Sequence, residues 1–107
     1  MPGMQQIIVT VSGNQIALNR DPVDLRGAGR NVQLMWILQT PGWTFAGDGI
    51  DINGNDGQFS QHQLAEHGSR CIWIDANSGG KTYKYTVQVA SAGGQTLQLD
   101  PGIINEN

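Results

Sequence analysis

Two stretches of this chain repeat every second residue, and they limit its possible folds more than anything else in the sequence. From Asn31 to Gln39 it reads NVQLMWILQ, with Val32, Leu34, Trp36 and Leu38 in alternation, and from Lys81 to Ser91 it reads KTYKYTVQVAS, with Tyr83, Tyr85, Val87 and Val89 in alternation. Successive side chains of a strand point to opposite faces, so each set falls on one side. A helix would need a spacing near 3.6, which neither stretch offers. Both are strands with one buried face. Trp36 shares its side with three aliphatics, which places it in the middle of the expected core.

The rest of the chain fits around these two ribbons. QQIIVTV, Gln5 to Val11, is β-branched and ends at a Ser-Gly-Asn turn, and QIALN, Gln15 to Asn19, follows as a second strand. The pairing of these two stays open, because sandwich folds often send their first strands to different sheets. RDPVDLRGAGR, Arg20 to Arg30, carries a Pro, two Gly and no sustained period, and reads as a connection. TPGW then forms a Pro-Gly turn that includes Trp43, and TFAGDGIDI returns as a strand through Phe45, Ile50 and Ile52.

In SQHQLAEHG, Ser60 stands three residues before Gln63, the spacing of a helix capping box, and Gly68 supplies a stop. The spacing predicts one short helix from Gln61 to His67, packed through Leu64. RCIWIDA alternates Cys71, Trp73 and Asp75 against Arg70, Ile72 and Ile74, and TLQLD is a final strand beyond an AGGQ hairpin turn. The tail, PGIINEN, is expected to dock through Ile103 and Ile104.

Seven or eight short strands at spacings near ten residues point to an all-β chain, a sandwich forming a single domain over residues 1–107. At this length about two thirds of the unfolded surface leaves water on folding, so a core needs no covalent staple. Cys71 is the one cysteine, so no internal disulfide forms, which fits a reducing compartment. The N-terminal stretch has no basic region followed by a sustained apolar run, and no segment approaches the roughly 18 apolar residues of a membrane span. The expectation is a soluble, cytoplasmic protein without a membrane partner.

Charge narrows the partners further. The net charge is -3 and 14% of residues are charged, with the six Lys and Arg spread from Arg20 to Lys84, so no footprint for nucleic acid or anionic lipid shows. Many Asn and Gln leave a surface suited to neutral partners.

A Trp-bearing strand, a short helix before the next strand, and a late YKYTVQV strand followed by a GG hairpin together resemble bacterial immunoglobulin-like or cupredoxin-like sandwich domains, including small uncharacterised ones. That resemblance implies a Greek-key sandwich. It implies neither an antibody-type disulfide, since one cysteine cannot pair, nor a copper centre, since no His or Met follows Cys71.

Several constellations invite chemistry. In DGIDINGNDGQF, Asp48 to Phe59, a helix-loop-helix calcium motif would take Asp51, Asn53 and Asn55 as its first, third and fifth positions. Its sixth position is Asp56 instead of Gly and its twelfth is His62 instead of Glu, so the motif fails. A calcium site through Asp48, Asp51 or Asp56 is the sharper reading and a tight turn the plainer one, because Asn-Gly and Asp-Gly suit positive φ. On the expected helix, His62 and Glu66 would share a face as two zinc ligands, with His67 facing elsewhere and Cys71 in a core strand.

Ser60 and Ser69 lie near His62 and His67, but no nucleophile elbow surrounds them, and SGGKT, Ser78 to Thr82, imitates a phosphate loop without its upstream Gly or following helix. Neither catalytic residues nor a cofactor are expected. Trp43, Phe45 and Trp73 could offer an aromatic platform to a glycan or a protein, with Trp43, in its turn, the one expected to be exposed. The sequence therefore favours a non-catalytic interaction or structural module with a protein partner, and a low-charge edge strand suits self-association as a homodimer. A glycan-binding or calcium-binding module is the alternative.

Overall fold

The structure, a computed structural model, describes residues 4–105. Among these residues ten strands form and no helix does. In chain order they are β1 (Met4–Ser12), β2 (Gln15–Leu18), β3 (Val23–Asp24), β4 (Val32–Leu38), β5 (Trp43–Ile52), β6 (Phe59–Ala65), β7 (Arg70–Asp75), β8 (Thr82–Ser91), β9 (Thr96–Leu99) and β10 (Gly102–Ile104). The first sheet has the order β2-β1-β4-β7-β6, and the second has the order β3-β10-β8-β5 with β9 also on β8. Each sheet is mixed: β1 runs parallel to β4, and β3 parallel to β10.

The two period-two ribbons lie at the centre of their sheets and face each other. Val32, Leu34 and Trp36 of β4, and Tyr85, Val87 and Val89 of β8, have no exposed surface at all. Trp36 and Tyr85 meet with ring centroids 5.2 Å apart, tilted edge to face, and the indole Nε1 donates to the Tyr85 hydroxyl at 3.0 Å. A buried Trp needs an acceptor for its N–H, and Tyr85 supplies it from the opposite sheet. Ile7 and Val9 from β1, Ile50 and Ile52 from β5, Phe59 from β6 and Cys71 from β7 complete this shared core.

Three segments depart from the sequence expectation, and they account for ten strands in place of seven or eight. The Arg20 to Arg30 connection contains β3, and its Val23 and Leu25 are fully buried. The tail pairs as β10: Ile103 points into the core, while Ile104 is half-buried on the outer side; Glu106 and Asn107 lie outside the described residues. β9 and β10 hold one register against β8, with Leu99 opposite Val87 and Gly102 opposite Lys84. They are interrupted only around Pro101, which has no N–H to give but whose carbonyl still accepts from Tyr85 N at 3.0 Å.

The third departure is the expected helix from Gln61 to His67, which is instead strand β6 and the turn after it. The capping-box spacing of Ser60 and Gln63 loses to pairing with β7, because a helix of two turns has little stability of its own. Ser60 pairs with Ile74 and Gln63 with Ile72, so Gln61 and His62 form a bulge opposite Trp73, with Gln61 at φ 57. Glu66 and His67 then take left-handed conformations before Gly68. A second, larger bulge interrupts β5 between Phe45 and Ile50. It turns on Gly49, at φ +76, where an added Cβ would stand 3.0 Å from Phe45 Cβ.

Candidate functional site

The alternation that fills the core also decides what each sheet turns outward. Across the first sheet, opposite residues form rows on the outer face: Ile8 of β1, Ile37 of β4, Arg70 of β7 and Ala65 of β6; then Gln6, Met35, Ile72 and Gln63; then Met4, Gln33, Ile74 and Ser60. Five of these, Ile8, Met35, Ile37, Ile72 and Ile74, are large aliphatics that are only half-buried, and Met4 is 51% exposed. One position in these rows, Arg70, is charged. The outer face of the second sheet is different in kind. There β8 presents Thr82, Lys84, Thr86 and Gln88, with Asp51 of β5 opposite Thr86 and Gln98 of β9 opposite Gln88.

The edges are blunted. β5 and β6 carry the two bulges, β2 and β9 are four residues long, and β3 is two. Short and bulged strands present few consecutive backbone groups to a pairing chain.

The aromatics expected to form a platform belong largely to the core. Phe45 is 6% exposed, and Trp43, the first residue of β5 rather than part of the preceding turn, is half-buried and packs against the core. The three candidate calcium ligands do not converge. Asp48 lies in the β5 bulge, Asp51 on the outer face of the second sheet, and Asp56 in the turn after β5, where its carboxylate accepts from Tyr83 Oη at 2.8 Å and Lys81 Nζ at 3.1 Å. The Tyr83 hydrogen bond, reinforced by Lys81, holds the Asp56 carboxyl below its usual range. Among the described residues no three His, Cys, Asp or Glu side chains gather as a metal site.

His62 and Glu66 do not share a helix face, because there is no helix. The His62 ring lies against Trp73 with centroids 4.9 Å apart, and its Nε2 stands 2.6 Å from the Asp48 carbonyl. A carbonyl only accepts, so Nε2 carries a proton there. Cys71 is buried, and burial pushes its thiol up to about 11, which leaves it protonated and unreactive near neutrality. Ser69 Oγ donates to the Glu66 carbonyl at 2.8 Å, so its hydroxyl is spent on its own turn. The SGGKT stretch turns directly into β8, and Ser78 is bound to Gln58 through both its hydroxyl and its backbone N–H.

One cluster was not singled out in the sequence, where its carboxylate merely alternates in phase with Cys71 and Trp73. Asp75 shares its side of the strand with Cys71 and Trp73 and has no exposed surface. Its Oδ1 accepts from Asn77 N at 2.9 Å and from Asn105 Nδ2 at 3.0 Å. Asn77 in turn donates through Nδ2 to the carbonyls of Leu25 and Gly29. These three buried polar residues tie together the end of β7, the loop after β3 and the chain beyond β10. Two oxygens in the cluster have no partner, Asp75 Oδ2 and Asn105 Oδ1. Burial raises the Asp75 carboxyl above its ordinary range, against the opposing hydrogen bonds from Asn77 and Asn105 and with a smaller contribution from the charge of Asp56.

No protein-family model matches the chain, and no curated protein matches it either.

Proposed function

We propose that this chain is a non-catalytic interaction module that works through the outer face of its first sheet, with a second copy of itself as the occupant. The observation that carries this reading is the half-buried aliphatic set centred on Met35, on a face where a solvated sheet would alternate to polar residues. With strands about 4.8 Å apart and a rise of about 3.3 Å per residue, such a face spans on the order of 500 Å² in projection. That is below the roughly 800 Å² per partner of a standard interface and fits a weak, concentration-dependent dimer. A two-fold interface must suit itself, and a face with a single charged position meets its copy with little like-charge repulsion. The blunted edges support association by faces over extension of a sheet. The same reading groups the fold with immunoglobulin-like or cupredoxin-like sandwiches, on the strength of the facing Trp36 and Tyr85 ribbons.

Sedimentation velocity across a wide concentration range tests the reading. The expected result is a reversible rise in sedimentation coefficient from monomer toward dimer. A constant monomer value up to millimolar concentration would refute it.

A further inference from the structure

We propose that the folded protein carries Asp75 as the neutral acid, its Oδ2–H donating to Asn105 Oδ1, so that the two side chains close a two-bond ring that latches the C-terminal strand to β7. The geometry already shows half of this ring, the bond from Asn105 Nδ2 to Asp75 Oδ1 at 3.0 Å. The two atoms left over are both acceptors, both buried, and belong to the same pair of side chains. One hydrogen on Oδ2 satisfies both. Exchanging the amide N and O of Asn105 does not help, because the amide oxygen would then meet Asp75 Oδ1 and the mismatch would only move. An ionised carboxylate would leave a charged oxygen buried and unpaired, which interiors rarely tolerate.

The charged neighbours agree. Asp56, from the turn before β6, bears on Asp75 as a like charge. The Lys81 ammonium that precedes β8 is bound to Asp56, and so is the Tyr83 hydroxyl of β8. Across the sheet, β4 and β6 set Val32 and Phe59 beside Asp75, and neither can carry charge. On the loop after β3, Arg26 is paired with Asp24.

The latch has a definite reach. Asn105 N donates to the Lys81 carbonyl, and Leu25 N to the carbonyl of Ile104, so β3 and β10 are held as a unit beside the ring. The folded state raises the carboxyl above its unfolded value, so the latch is fully made below the ordinary carboxylate range. It is lost as pH rises through the raised value. Deprotonation thus loosens β10 and β3 while the Trp36 core stays closed, a pH-sensitive release of the chain's C-terminal end.

The test is carboxyl carbon NMR on the wild-type protein, together with amide exchange at Ile103, Ile104 and Asn105, each corrected for intrinsic pH dependence. Asp75 should titrate above every other aspartate, and protection of the three amides should fall at least tenfold through the same pH interval. In Asp75→Asn, whose amide can both donate to Asn105 Oδ1 and accept at Oδ1, protection should stay flat with pH. An Asp75 carboxyl that titrates in the ordinary range would overturn the proposal, and this reading needs no variant to fold. So would an identical fall in protection in wild type and Asp75→Asn.

Discussion

The first sheet turns Ile8, Met35, Ile37, Ile72 and Ile74 outward, and the second turns Thr82, Lys84, Thr86 and Gln88 outward. Both sheets contribute to one core, and their central strands β4 and β8 alternate with the same period. The difference between them therefore lies outside the core. β8 reads apolar-in and polar-out, the pattern of a sheet with one solvated side, whereas β4 reads apolar on both sides, the pattern of a strand covered on both. The core explains why this chain folds; only the outer side of β4 and its neighbours says what a folded copy offers to others.

Substitutions can separate these two roles. The largest effect belongs to the shared core. Trp36→Ala removes the biggest fully buried side chain and the partner of Tyr85, and should cost about 3–5 kcal/mol in urea denaturation, since the cavity cannot collapse between two sheets. A cost below about 1 kcal/mol would mean that the sheets do not depend on their common interior. Next, Met35→Lys puts a charge at the centre of the first sheet's outer face and should weaken self-association at least tenfold with little loss of stability, as read by sedimentation. Gln88→Lys, its counterpart on the second sheet, should leave association unchanged. Equal effects from the two lysines would erase the contrast between the faces.

Tyr85→Phe keeps the ring contact but strips the acceptor from Trp36 Nε1, leaving a buried N–H unpaired; a loss of about 1–3 kcal/mol is expected in thermal or chemical unfolding. The smallest effect belongs to an exposed pair. Arg26, bound to Asp24 at 2.6 Å, holds that carboxyl down to about 2, so the pair's stabilisation is present above the ordinary carboxylate range and fades as pH falls through the lowered value. Both groups are well solvated, so Arg26→Ala should lower the unfolding midpoint near neutral pH only slightly, less than any other substitution above.

The core was legible in the sequence because a strict period of two over seven to ten residues admits one reading. Val32 to Leu38 and Tyr83 to Val89 therefore landed where the alternation put them. The 61–67 segment was not legible, because Ser60 and Gln63 carry a real helix-start signal that only the neighbouring strand overrides. β3 and β10 were missed for a related reason: two or three residues have no measurable period, and Ile103 becomes strand by lying beside Tyr83 of β8, and Val23 by lying beside Ile103. As for the candidate sites, the acids of Asp48 to Asp56 look like one loop in sequence, yet a bulge and the strand alternation send them to different surfaces. The outer aliphatics were all in view as residues of β1, β4 and β7, but only the pairing register gathers them into one patch. Asp75 was likewise in view as a carboxylate in phase with Cys71 and Trp73. What hid its role was distance, for Asn105 lies 30 positions along the chain.

The most direct measurement is methyl NMR of isoleucine, methionine and threonine side chains during dilution. The Met35 methyl and those of Ile8, Ile37, Ile72 and Ile74 should shift together with concentration, while the Thr82 and Thr86 methyls stay fixed. Shifts confined to the second sheet, or none on the first at any concentration, would contradict the account.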